Sequence, residues 1–294
     1  MIEKPDKYWA VALDPLHVGE GGYRLGGVDM TIVREPATGV PKVPGTSLAG
    51  AIREYSTVVK EEDEKGDNCF DGIEIDDVFG TADGGQGMLR FYDAQIILFP
   101  VHSIYGTVWV ATKNRLLYWK INDDQEERVG IIDQELENKA LVLKGIDKEQ
   151  VNLGWLLLET KKIPGIESWP TYIPPGIMKY IQNIVVVSDK LFSHIVNDNL
   201  EIRTSIKIDR NTGAAKSGAL FTYEAIPRGT IIGFEIAIDR RRGKGVAYEK
   251  VVVDLLQKSF KFLKLLGVGG MGTRGFGRLA LCYPIEEGFT GGAL

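Results

Sequence analysis

Cysteine, methionine and histidine are scarce in this 294-residue chain, at two, five and three residues. Cys69 and Cys282 stand far apart, which excludes a disulfide framework and a cysteine-based zinc site, so a reduced, cytoplasmic setting is the expectation. No apolar run approaches the roughly 20 residues that cross a bilayer, and the opening MIEKPDKYW lacks the apolar core of a secretory leader. The zinc-protease pattern HExxH, the nucleophile-elbow pattern GxSxG and a GK[ST] phosphate loop are also missing. No internal repeat is evident.

What the chain does have is glycine in clusters. Leu16 to Arg53 reads LHVGEGGYRLGGVDMTIVREPATGVPKVPGTSLAGAIR, with five glycines between Gly19 and Gly27. Glycine costs conformational entropy in ordered structure, so such a cluster marks backbone that turns sharply or lies against a ligand. The reading that follows is that this loop, with Asp29 beside it, faces a nucleic-acid backbone.

The net charge of −5 argues weakly against that reading until its distribution is counted. Glu61 to Glu149 holds twenty acidic against nine basic residues, whereas Arg203 to Arg278 holds fifteen basic against six acidic. A binding face needs only local positive potential, and two oppositely charged regions also suit head-to-tail assembly. Two separately solvated faces would give the same counts.

Hydrophobic periodicity assigns the elements in outline. Strands are expected at 8–13, 28–33, 88–100, 107–112, 155–160, 202–208, 219–224, 229–239 and 278–283. Helices are expected from Thr46 or Ser47 as N-cap to about Lys60, and over 248–266, where Val251, Leu255, Phe262 and Leu266 keep helical spacing. Residues 61–77 read as an acidic surface loop, 122–150 as charged sequence with weak helical periodicity, and 163–176 as a proline-rich excursion. Strand 202–208, the turn 209–213 and strand 219–224 make a basic hairpin. Strand, helix, glycine loop, strand at the C-terminus is half of a ferredoxin-like fold, and the N-terminal strand, helix, strand succession supplies the other half.

The second glycine loop, GVGGMGTRGFG at 267–277, follows a helix and precedes a strand. Nucleotide-cradling loops run the other way, from strand into helix, so dinucleotide binding is disfavoured. Exposed backbone N–H groups beside Arg274 and Arg278 suit a longer phosphate chain, although an unusual helix-to-strand connector would look the same. His17, Asp29 and Glu224 are the titratable residues in the most turn-rich contexts, suited to proton transfer or to orienting a group. None forms a motif alone, and a satisfied structural role competes for each.

Taken in order, H-V-G at 17–19, V-D-M-T-I-V-R-E at 28–35, T-G-V-P at 38–41 and V-P-G-T-S-L-A-G-A-I-R at 43–53 resemble the RAMP superfamily of CRISPR-associated proteins. So do V-F-G at 78–80, R-F-Y-D-A-Q-I-I-L-F-P-V-H-S at 90–103, G-A-L-F-T-Y-E-A-I-P at 218–227 and the glycine loop through Arg278. The F-P-V-x-S element and the length look most like the backbone subunit of the type III-B (Cmr) effector complex, with the type III-A backbone subunit as the near alternative.

The resemblance implies an α+β fold: one domain over 1–294, with a ferredoxin-like (RRM-like) core from both chain ends and insertions including a β-hairpin thumb, roughly over 120–220. It implies a guide RNA-binding subunit that stacks head to tail with its own copies and joins other Cmr-type subunits, without a membrane. Target RNA would be cut at regular intervals beside nucleotides that the thumb displaces. It places Asp29 at the catalytic position, with His17 and Glu224 in support, and a divalent cation, Mg or Mn, as cofactor with no recognisable ligand motif. The RNA contacts it implies are Ser47, Arg53, Arg203, Lys207, Arg210, Gly269, Gly270, Arg274 and Arg278. Two positions depart from the family pattern: Ala49 and His102 stand where a lysine and an arginine are usual. A scaffold that grips RNA without cutting it, and a metal-independent nuclease that processes precursor guide RNA, are the competing readings.

Overall fold

Side chains of β1 (Asp6–Ala12) alternate between two cores. Trp9 and Val11 enter one hydrophobic cluster while Tyr8, Ala10 and Ala12 enter the other, as the period of two in a strand requires. The computed structural model describes residues 4–21, 28–66, 68–121, 136, 138–162, 172–209, 213 and 215–284. After β1 come β2 (Lys42–Val43), α1 (Gly45–Asp63), α2 (Ile75–Phe79), β3 (Leu89–Phe91), β4 (Ala94–Ser103), β5 (Gly106–Thr112) and α3 (Lys113–Trp119). The middle holds β6 (Lys139–Lys144), β7 (Gln150–Leu153), β8 (Leu156–Lys161), α4 (Pro175–Tyr180), β9 (Ile184–Val187) and α5 (Asp189–Asp198). The last part is β10 (Glu201–Ile208), β11 (Ala215–Ala225), β12 (Ile231–Ile238), α6 (Val246–Leu265) and β13 (Leu279–Tyr283).

Eleven strands form a mixed sheet in the order β13-β1-β12-β4-β5-β9-β6-β8-β7, with β2 beside β4 and β3 beside β12. The first four, from both ends of the chain, are antiparallel throughout, and α1 and α6 cover one face of them. Val252, Leu255, Leu256, Phe260 and Leu263 of α6 are buried at helical spacing, and the buried Ser56 and Ser259 hydroxyls meet at 2.8 Å between the two helices. On the opposite face Leu116 and Trp119 of α3 and Ile177 of α4 complete the second core. Trp119 lies against Gly233 of β12, where a Cβ would meet its ring at 2.6 Å and Ile97 at 2.7 Å. Strands β10 and β11 leave this sheet and form a two-stranded sheet of their own, Thr204 facing Thr222 and Ile206 facing Leu220.

Several expectations change in the folded chain. Helix α1 starts earlier, at Gly45 with Pro44 in the N-cap position, and neither Thr46 nor Ser47 caps it. The Asp93 carboxylate accepts the Gly45 N–H at 2.8 Å instead, so a distant residue supplies the cap. Residues 61–77 are not wholly loop: α1 runs through Asp63, α2 begins at Ile75, and Phe70 and Ile73 are buried. The strand expected over 88–100 breaks into β3 and β4, and 28–33 is no strand at all. There Met30 bridges Tyr223, Ile32 bridges Gly19 and Arg34 bridges Pro41, because the segment passes among three neighbours rather than along one. Strand β6 lies within the charged 122–150 stretch, and β7 begins at its last residue. Residues 22–27, 122–135 and 163–171, and Arg210 at the hairpin turn, lie outside the described residues.

Candidate nucleic-acid interface

Three candidates drawn from distant parts of the sequence converge on the last residues of β11. Asp29 sits beside Thr222: its Oδ2 accepts the Thr222 N–H at 2.8 Å and the Thr222 hydroxyl at 2.9 Å, and its own N–H donates to Thr222 Oγ1 at 3.0 Å. The backbone hydrogen bond first, then the hydroxyl, holds the Asp29 carboxyl below the usual carboxylate range. The residue is part-exposed, so an ionised oxygen stands at the surface.

Glu224 follows two residues later on the same strand. Both of its carboxylate oxygens accept from Arg34 Nη2, at 2.9 and 2.8 Å, and Oε2 also takes the Ile32 N–H at 3.4 Å. Arg34 itself donates to the Ile32 carbonyl and to Asn197 on α5. Glu224 is therefore engaged as an ion-pair partner of Arg34.

His17 is buried, and its Nδ1 donates to the Glu224 carbonyl at 2.7 Å, which places a proton on that nitrogen. Its Nε2 faces the first glycine loop, where a Cβ on Gly19 would lie 3.3 Å away. Its carbonyl accepts the Gly270 N–H at 2.9 Å. Gly269 has a φ of +88° and no room for a side chain, since a Cβ would come 2.6 Å from the same carbonyl. The two glycine-rich segments thus meet at His17, joined by hydrogen bonds that sequence distance conceals.

From His17 a chain of rings leads outward: Tyr223 at 6.1 Å, then Phe276 at 5.8 Å from Tyr223, then the Arg203 guanidinium 4.7 Å over Phe276. The other basic candidates differ in how free they are. Arg53 donates to the Gly80 carbonyl and to Asp76, on α1 and away from β11. Arg278 is paired with Asp14 at 2.5 and 3.0 Å, and Arg203 with Glu201 at 2.5 Å. Arg274 is exposed beyond Gly270, with no side-chain partner among the described residues. Ser47 and Ala49 lie part-exposed on the first turns of α1, and Lys207 lies on β10. Exposed Ile202, Ile206, Ile208 and Leu220 give the hairpin an apolar stripe, and Ile206 and Leu220 share the face of Thr222.

Thr222 and Arg34 are the residues that sequence reasoning missed. Both lay inside quoted segments, L-F-T-Y-E and T-I-V-R-E, but only folding shows that they touch Asp29 and Glu224. Among the described residues no group of three or more His, Cys, Asp or Glu side chains could hold a metal ion.

Known proteins resemble the chain over nearly its whole length. The RAMP superfamily model matches residues 9–280. The CRISPR system Cmr endoribonuclease Cmr4 of Pyrococcus furiosus is 28% identical over 298 residues, covering 95% of this chain and 96% of the relative. A crystal structure of oligomeric Cmr4 from Pyrococcus furiosus superposes with a TM-score of 0.64 at 21% identity, covering 95% of this chain and 98% of the other. A type III-B Cmr-beta structure bound to cognate target RNA contains a chain with the same TM-score and identity, covering 95% and 97%. The match across nearly the whole chain, together with the fold, places this protein in the RAMP superfamily.

Proposed function

We propose that this chain is the backbone subunit of a type III-B RNA-guided complex, binding guide RNA and cutting target RNA at regular intervals. The observation that carries the reading is Asp29, an ionised carboxylate held at the base of a projecting hairpin, next to the junction of two glycine-rich loops. The order β13-β1-β12-β4, with α1 and α6 on one face, supports reading this part as a ferredoxin-like core. The hairpin β10–β11 would be the thumb, its apolar stripe wedging a nucleotide out of the guide–target duplex. Glycine backbone and Arg274 would approach the phosphates. Head-to-tail stacking with further copies of the chain would repeat the site along the guide, in company with other Cmr-type subunits. The near relative named an endoribonuclease and the related chain in a target-bound complex support this assignment.

For cutting, a displaced nucleotide frees the backbone from A-form constraint, so the ribose 2′-oxygen can line up with its phosphorus. Asp29 accepts the 2′-OH hydrogen bond and takes its proton as the 2′-oxygen bonds to phosphorus. The bond to the 5′-oxygen breaks, and that oxygen takes a proton from water. A carboxylate held below the usual range is a weak base, which suits a slow cut. Among the described residues the donor set around Asp29 forms no cage for the Mg or Mn ion that the resemblance implies.

The test is D29A in the assembled complex with guide RNA and complementary target. A ladder of regularly spaced cuts should vanish while guide and target binding persist. An unchanged ladder removes Asp29 from the reaction, and a single cut by the unaltered complex in place of a ladder favours the scaffold reading.

A further inference from the structure

We infer that Thr222 is the positioning residue for Asp29, so that the strand of the hairpin that meets the RNA also fixes the carboxylate that acts on it. This rests on the reading of Asp29 given above.

The geometry is a two-way hold. Thr222 gives both its N–H and its hydroxyl to Asp29 Oδ2, and the same hydroxyl oxygen accepts the Asp29 N–H. Backbone and side chain of Asp29 are therefore both pinned by one residue. Such a pin removes the rotamer freedom that an exposed aspartate keeps, and leaves Oδ1 without a hydrogen bond among the described residues. The attachment continues along β11. Met30 N–H donates to the Thr222 carbonyl at 3.0 Å, Glu224 N–H to the Met30 carbonyl at 3.0 Å, and Arg34 closes the run on the Glu224 carboxylate. The segment carrying Asp29 has no strand of its own to hold it, since its bridges are isolated ones. At Asp29 and Met30 it is held by the hairpin, while Thr31 and Val33 bond to Glu20 and Val18. Any shift of the hairpin on engaging a duplex carries Asp29 with it, which ties the place of the cut to the nucleotide displaced.

The test uses T222V and T222S in the assembled complex, with a complementary target RNA. Valine keeps the shape, the β-branching and the backbone N–H but removes the hydroxyl, so assembly and strand pairing should persist. Co-elution with guide RNA checks assembly. The expected result for T222V is a kcat lowered about 100-fold with KM for target unchanged, as for a small misplacement of a reacting group. T222S, which keeps the hydroxyl, should restore most of the rate. Wild-type cutting by T222V, or equal loss in both variants, overturns the positioning role. D29A run alongside separates the two readings: if it still cuts, the assignment of Asp29 fails. If D29A is inactive and T222V is not, only the role of Thr222 falls.

Discussion

Asp239 shows what one buried carboxylate does in this fold. It is fully buried at the end of β12 and accepts Arg241 through Nε and Nη2, both at 2.8 Å. Arg90 and Arg242 approach it at 3.5 and 3.8 Å. The Arg241 hydrogen bond, foremost, holds its carboxyl well below the usual carboxylate range despite burial. A depressed folded value means that the ionised group stabilises the fold above the unfolded value and loses that effect as pH falls through the folded one. D239N should therefore melt below wild type at neutral pH, and the gap should persist through mild acid. Only below about pH 3.9, the ordinary value for aspartate, should it close. Thermal melts of the two proteins across a pH series check this, and a gap already closed near pH 6 would count against the Arg241–Asp239 account.

Elements here are placed by close backbone approach as much as by side-chain burial. Gly233 lets α3 press Trp119 onto β12, and an added methyl would overlap both the indole and Ile97. G233A should cost about 1–3 kcal/mol through overpacking, read as a lower midpoint in denaturant without change in slope. A wild-type midpoint would show that α3 moves aside freely. The same logic at Gly269 joins the two glycine loops, since only a residue without Cβ fits against the His17 carbonyl. The hairpin differs: its base is tied to residues 16–34, while Ile206 and Leu220 beyond it remain exposed. Exposed apolar side chains gathered on one hairpin suit a contact surface, and in the proposed complex that contact is a base.

Over the whole molecule, the contrast between an acidic 61–149 and a basic 203–278 is smaller in space than in sequence. Lys244 pairs with Asp77 at 2.8 Å, and Arg278 with Asp14, so part of the basic segment is neutralised within the chain. Arg274, in the second glycine loop, is exposed and has no side-chain partner among the described residues. In the assembled complex, RNA affinity should fall steeply with salt, and R274A should reduce the log–log slope by roughly 0.7 to 1. Measured binding across a salt series with an identical slope for R274A would exclude a phosphate contact there.

The sequence by itself determined β1, β12, α6 and β13 in outline, because the apolar runs at 8–13 and 229–239 and helical spacing in 248–266 reflect burial that any fold must satisfy. It also marked both glycine loops, since clustered glycine has a cost that only special backbone repays, and it carried the family resemblance. Tertiary structure alone decided who partners whom. Asp93 capping α1 is 48 residues from Gly45, and Thr222 holding Asp29 is 193 residues away. Glu224 bound to Arg34 spans 190 residues. Hydrogen bonds and ion pairs leave no periodic trace in the chain, because they require only that two groups meet. Local sequence therefore named Asp29, and only the fold showed that the hairpin holds it.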